Sequence, residues 1–150
     1  MSSAPIYVLN GPNLNLLGVR EPQLYGSTSL AQVEQLCRSV CAQLGLSCEF
    51  RQTNHEGVLV DWVQEAREKS SGVVINPAGL SFRSIPLLDA LKTLDQPIAE
   101  VHVTNIHKRD PLYQKSLMSL AATGVICGFG PFGYELAVRA VAQRLTLPAS

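Results

Sequence analysis

The chain has 150 residues; hydrophobic residues make up 46% and charged residues 16%, and 12 basic side chains balance 12 acidic ones to a formal net charge of zero. That length suits one domain with a core of its own, and that composition excludes intrinsic disorder. The charge balance excludes a broad electrostatic grip on nucleic acid, and no apolar run approaches the ~20 residues of a membrane span, so neither is expected as a partner. A small anion needs only one local cluster and stays open. The low charged fraction points to a surface partly covered by other subunits. Residues 1–5 lack the basic and apolar regions of a signal peptide. Cys37, Cys41, Cys48 and Cys127 form no Cys-x-x-Cys pair and have no His at zinc-site spacing. They read as small core residues in a reducing, cytoplasmic setting.

Residues 6–9 form a short apolar run closed by Asn10-Gly11-Pro12-Asn13, a buried strand stopped by turn residues. A long loop over 13–28, containing Gly18, Pro22 and Gly26, has the length of a functional lid. Ser29 with Gln32 forms a capping box, after which Leu30, Val33, Cys37, Val40 and Leu44 repeat at helical spacing up to Gly45. Residues 47–52 predict a second strand, 57–69 a helix, 72–76 a third strand broken by Pro77, and 85–94 a short helix. Residues 98–103 predict a fourth strand, 123–129 a fifth, and 132–145 the last helix. Short apolar strands alternating with amphipathic helices predict an α/β fold. It is a flavodoxin-like, doubly wound, five-stranded parallel sheet with helices on both faces, forming a single domain over residues 1–150. Ligands in such folds sit beyond the carboxyl ends of the strands. The loops at 10–28, 76–84, 104–112 and 128–133 then share one mouth.

Gly128-Phe-Gly130-Pro-Phe-Gly133 matches G-x-G-x-x-G between a strand and a helix. A dinucleotide site also needs a further strand after that helix with an acidic residue ~20 positions on, and the chain has no room for one. The glycines therefore read as a tight strand-to-helix turn, and no nucleotide cofactor is expected.

Arg20 and Tyr25 lie in the first loop. A guanidinium lowers the pKa of a nearby phenol from its usual value of about 10 and makes it a usable base. A solvated Arg beside an aromatic anchor is the other reading. In Glu100-Val-His102, alternation puts the carboxylate and the imidazole on one face, where Glu100 would orient His102 as a proton donor; a satisfied core histidine is the alternative. His55 and His107 add no metal-ligand spacing. Base and acid without a Ser or Cys nucleophile or a metal suggest an elimination or isomerisation next to a carbonyl.

Asn10-Gly-Pro-Asn-Leu-Asn-Leu-Leu-Gly18, Arg20-Glu-Pro-x-x-Tyr-Gly26 and Arg51-Gln-Thr-Asn-His-Glu-Gly57 resemble type II 3-dehydroquinate dehydratase (type II dehydroquinase). So do Asn76-Pro-Ala-Gly79, Glu100-Val-His-Val-Thr-Asn-Ile-His107, and Gly124-Val-Ile-Cys-Gly-Phe-Gly130 with Gly133-Tyr134. The resemblance spans nearly the whole chain. It implies a hydro-lyase that dehydrates 3-dehydroquinate to 3-dehydroshikimate through an enolate, without a cofactor or metal. Such an enzyme serves either the shikimate pathway or quinate catabolism. It implies that Tyr25 is the base, with Arg20 and Arg109 lowering its pKa. Asn13 would stabilise the enolate, and His102, oriented by Glu100, would be the acid. Asn76 and the backbone amides of Val103 and Thr104 would hold the substrate carboxylate. It also implies a trimer-based dodecamer in which Asp89 reaches a neighbouring subunit's site.

Two positions depart from the family's pattern. Ser81-Phe82 stands where the family has Thr-His, and Leu112-Tyr113 where it has Phe-Arg; Leu88 also replaces an Arg before Asp89. Phe82 and Tyr113 would alter the contacts to the distal substrate hydroxyls, and Arg83 is a candidate replacement donor. Two alternatives follow: a paralogue acting on a related cyclic hydroxy-keto acid, and a binding or assembly protein with weakened catalysis.

Overall fold

The computed structural model describes residues 4–19 and 21–147, leaving out the side chains of Leu24 and Tyr25. Five parallel strands are β1 (Ile6–Asn10), β2 (Cys48–Gln52), β3 (Gly72–Asn76), β4 (Ile98–His102) and β5 (Gly124–Cys127), in the sheet order β2-β1-β3-β4-β5. The helices are α1 (Pro22–Tyr25), α2 (Leu30–Gln43), α3 (Glu56–Lys69), α4 (Ile85–Leu91) and α5 (Phe132–Leu145). This is the doubly wound flavodoxin-like α/β architecture that the alternation of elements predicts.

Alternation along the strands divides the core. Ile6, Val8, Val74, Ala99 and Val101 pack under α2 and α5, with Cys37, Cys41, Ala137 and Val138 among their partners. Tyr7, Leu9, Val73, Ile75 and Ile98 pack against α3, α4 and Met118 on the other face. Cys37, Cys41 and Cys48 are buried free thiols, as small core residues should be. The Ser29–Gln32 capping box forms in both directions at the start of α2.

Several boundaries differ from the sequence reading. β5 ends at Cys127 rather than at Phe129, because Gly128 turns to φ +96°. α4 ends at Leu91, three residues early, where the last turn loosens and Thr93 bonds the Ala90 carbonyl. The 13–28 loop is not wholly irregular: it contains a 3₁₀ turn over Leu14–Leu16 and the single-turn α1. Three more 3₁₀ turns, ending in Leu117–Leu120, cross from β4 to β5 in place of a helix. The glycine motif is a turn, as read: Gly128 and Gly130 both take positive φ, and Gly133 sits against Val101.

Parallel register aligns the strand ends. Asn10 pairs with both Gln52 and Asn76, and Gly11 N–H donates to the Asn76 carbonyl at 2.9 Å. Gly11 is required there: a Cβ would lie 2.4 Å from the Pro77 carbonyl oxygen. Overpacking against backbone cannot relax by a rotamer change. Gly11→Ala should therefore cost about 2 kcal/mol or more, read as a lower urea midpoint at unchanged slope.

Candidate active site

A pocket of about 220 Å³ opens beyond the carboxyl ends of β1, β3 and β4. That is below the roughly 300–1,000 Å³ usual for drug-sized ligands and suits a small one. Eight of the residues singled out in the sequence line it: Asn13, Asn76, Phe82, His102, Val103, Thr104, Arg109 and Tyr113. Glu100 stands directly behind His102. Asp89 is exposed on α4 and is not part of this pocket. Arg20 and the side chain of Tyr25 lie outside the described residues; the Tyr25 backbone ends α1.

The acid side of the pocket is built from β4. Residues 100 and 102 project to one face, and His102 Nε2 lies 2.5 Å from Glu100 Oε2. Glu100 has no exposed surface. Burial pushes its carboxyl up. The hydrogen bond and charge of His102, with the nearby Ser116 and Ser119 hydroxyls, outweigh that and hold it below the usual carboxylate value. Ser119 Oγ donates to Oε1 at 2.8 Å. Ser116 Oγ makes no hydrogen bond of good geometry, so Ser119 is the hydroxyl that holds the carboxylate. An ionised Glu100 can only accept. His102 Nε2 is therefore an N–H, and Nδ1 is the ring nitrogen not committed to Glu100.

Aromatic rings form the opposite wall. Phe82 stacks on His102 with centroids 6.3 Å apart and meets the Tyr113 ring edge-on at 5.6 Å. The Arg109 guanidinium carbon lies 4.1 Å from the Tyr113 ring centroid, within cation–π range. The two departures from the family's pattern thus touch each other, and one of them seats Arg109. Arg83, the candidate replacement donor, is exposed and does not line the pocket. Leu88 is a core residue on the α3–α4 face.

The 51–57 segment braces the mouth. Asn54 Oδ1 accepts from the Asn13 backbone N–H at 2.9 Å and from Gln52 at 3.1 Å. Asn13 takes φ +71°, a left-handed conformation that Asn tolerates. Glu56 accepts from Ser84 Oγ, the cap of α4, at 2.6 Å. Sequence reasoning gave no site role to Ser119, or to Asn10 and Tyr134, although the last two lie in motifs that carry the resemblance. The one available signal was a Tyr on the apolar face of the last helix, since a buried hydroxyl needs a partner. Among the described residues, no three His, Cys, Asp or Glu side chains cluster as a metal site, and no helix is long and apolar enough to cross a membrane.

The chain matches the family "dehydroquinase class II" over residues 4–142. It belongs to that family. It is 54% identical over 136 residues to 3-dehydroquinate dehydratase 1 of Agrobacterium fabrum, covering 91% of this chain and 94% of that one. The 3-dehydroquinate dehydratase of Caulobacter vibrioides is 55% identical over 136 residues, covering 91% and 93% of the two chains. The crystal structure of type II dehydroquinase from Propionibacterium acnes superposes with a TM-score of 0.91 at 42% identity, covering 95% of this chain and 98% of that one.

The depressed Glu100 pKa ties stability in this dehydroquinase to pH. A carboxylate held below its unfolded value of about 4.3 contributes fully above that pH, and the contribution is lost as pH falls through the lower native value. Glu100→Gln should lose about 2 kcal/mol at neutral pH. It should also show a shallower loss of stability than the wild type on acidification below about pH 5. Parallel urea titrations from neutral to acid pH check both, and identical acid slopes would contradict the assignment.

Proposed function

We propose that the chain dehydrates 3-dehydroquinate to 3-dehydroshikimate without a cofactor, using Tyr25 as base and His102 as acid. The observation that carries this reading is His102 fixed by a buried, ionised Glu100 on the wall of a small pocket that also holds Asn76 and Arg109. The names and identities of the relatives support it over a paralogue acting on another cyclic hydroxy-keto acid and over a binding protein.

Tyr25, its pKa lowered by Arg20 and Arg109, takes the proton next to the ketone as a phenolate. The electron pair moves into the enolate, whose oxygen Asn13 stabilises. His102, protonated at both ring nitrogens, passes a proton from Nδ1 to the departing hydroxyl, and the enolate collapses to the conjugated enone with loss of water. Asn76 and the Val103 and Thr104 amides hold the carboxylate end. Phe82 and Tyr113 line the wall facing the distal hydroxyls, and Tyr113 acts by seating Arg109 as well as by its own hydroxyl. The imidazole face stacked on Phe82 is shielded from water, which strengthens the hydrogen bond to Glu100.

A homo-oligomer, a trimer-based dodecamer with Asp89 at a neighbouring site, is part of the same reading. Exposed Val19, Ile85, Leu112, Leu120 and Phe129 and the exposed Val125 on the edge strand β5 support it. So is a cytoplasmic setting, supported by the buried free thiols. Light scattering should return a multiple of three chain masses; a monomer would remove this part of the reading.

The activity test follows the ultraviolet absorbance of the enone with purified protein and 3-dehydroquinate. The wild type should turn over at about 1 per second or faster. Tyr25→Phe and His102→Ala should each fall by at least ~10²-fold. A Tyr25→Phe variant with a near-normal rate would sink the choice of base.

A further inference from the structure

Beneath the pocket, three buried polar side chains form a chain of hydrogen bonds that the proposed mechanism does not use. Tyr134 is 0% exposed, Asn10 0% and Asn76 4%. Asn10 and Asn76 end neighbouring strands on the α2–α5 face, and Tyr134 reaches both from the first turn of α5. Tyr134 Oη donates to Asn10 Oδ1 at 2.7 Å, and Asn76 Nδ2 donates to Tyr134 Oη at 2.9 Å. Asn10 Nδ2 donates to the Arg51 carbonyl at 3.0 Å, and Asn76 Oδ1 accepts from Ala78 N–H at 3.1 Å.

The direction of every bond follows from its end. The Arg51 carbonyl can only accept, so Asn10 turns Nδ2 to it and leaves Oδ1 for Tyr134. The hydroxyl has one proton, and Asn10 takes it. Toward Asn76 the hydroxyl can therefore only accept. Asn76 must present Nδ2 to Tyr134 and Oδ1 to Ala78. One Nδ2 proton remains without a partner among the described residues, and Asn76 lines the pocket. Burial raises the Tyr134 pKa well above its usual value, so the hydroxyl stays protonated throughout.

We propose that Tyr134 is a positioning residue: together with the Ala78 N–H it holds the Asn76 amide in one orientation, so that Asn76 offers an N–H to a substrate oxygen. This rests on the reading of Asn76 as a substrate contact. Neither Tyr134 nor Asn10 lines the pocket, so both act only through Asn76.

The test is a double-mutant cycle in the full-length protein with 3-dehydroquinate. Tyr134→Phe should raise KM about tenfold with kcat within about twofold, the pattern of lost uniform binding. Added to Asn76→Ala, it should change nothing further, because the residue it acts through is gone. A full additional loss in that background, or a fall in kcat at unchanged KM, overturns the proposal. Should Tyr134→Phe not fold, Asn10→Ala frees the same hydroxyl proton and should give the same KM effect and the same silence in the Asn76→Ala background. If Asn76→Ala keeps the wild-type KM, both the substrate contact and the proposal fail. If Asn76→Ala raises KM while Tyr134→Phe does not, the positioning alone fails. Independently of turnover, ¹⁵N-asparagine labelling should show one Asn76 amide proton shifted by its bond to Tyr134. That shift should vanish in Tyr134→Phe, and its persistence overturns the proposal.

Discussion

Much of this structure follows from burying one carboxylate. Glu100 lies inside a sheet, with no exposed surface and apolar neighbours on both flanking strands. A lone ionised carboxylate there would cost several kcal/mol. The cost is met by two donors: His102 from the same strand and Ser119 from the 3₁₀ turn before β5. The Ser119 contact depends on that crossover taking the place of a helix. The His102 contact depends on regular strand alternation up to residue 102. Once both exist, the imidazole has one edge fixed, one face covered by Phe82, and a place in the pocket lining.

The sheet keeps two polar systems apart. Glu100 and His102 point to the α3–α4 face, whereas Asn10 and Asn76 point to the α2–α5 face, where Tyr134 joins them. Both systems reach the pocket only at the carboxyl ends, where the strands stop. One system holds a buried carboxylate bonded to an imidazole, and the other is a neutral donor chain whose direction is fixed by a backbone carbonyl. Keeping them on opposite faces lets each be satisfied without competing for the other's protons. The aromatic wall of Phe82 and Tyr113 then closes the space between them and carries Arg109 on its outer ring.

The strands and long helices were legible because their apolar periods are clear: all five strands and α2, α3 and α5 fall within a few residues of their expected bounds. The ends were less legible. Cys127-Gly128-Phe129 reads as a continuing strand until the backbone turns at Gly128. The 13–28 loop hides α1, too short to show a period. In the site, Glu100 with His102 was readable from a spacing of two. Ser119 was not, because its contact with Glu100 is 19 residues away in sequence and an isolated Ser carries no pattern. Tyr134 meets Asn10 across 124 residues.

By itself the sequence determined the fold class, the mouth at the strand ends, the family, and the pairing of Glu100 with His102. These depend on local periodicity and on contiguous motifs, which short-range physics is enough to fix. Tertiary structure alone decided that Phe82 and Tyr113 form one wall, that Arg83 does not line the pocket, that Asp89 is exposed outside it, and that a tyrosine on the last helix is hydrogen-bonded to an asparagine on β3. Each of these depends on which residues a parallel sheet brings together from distant positions. Such contacts carry no sequence period, because the register that makes them exists only after the strands have paired.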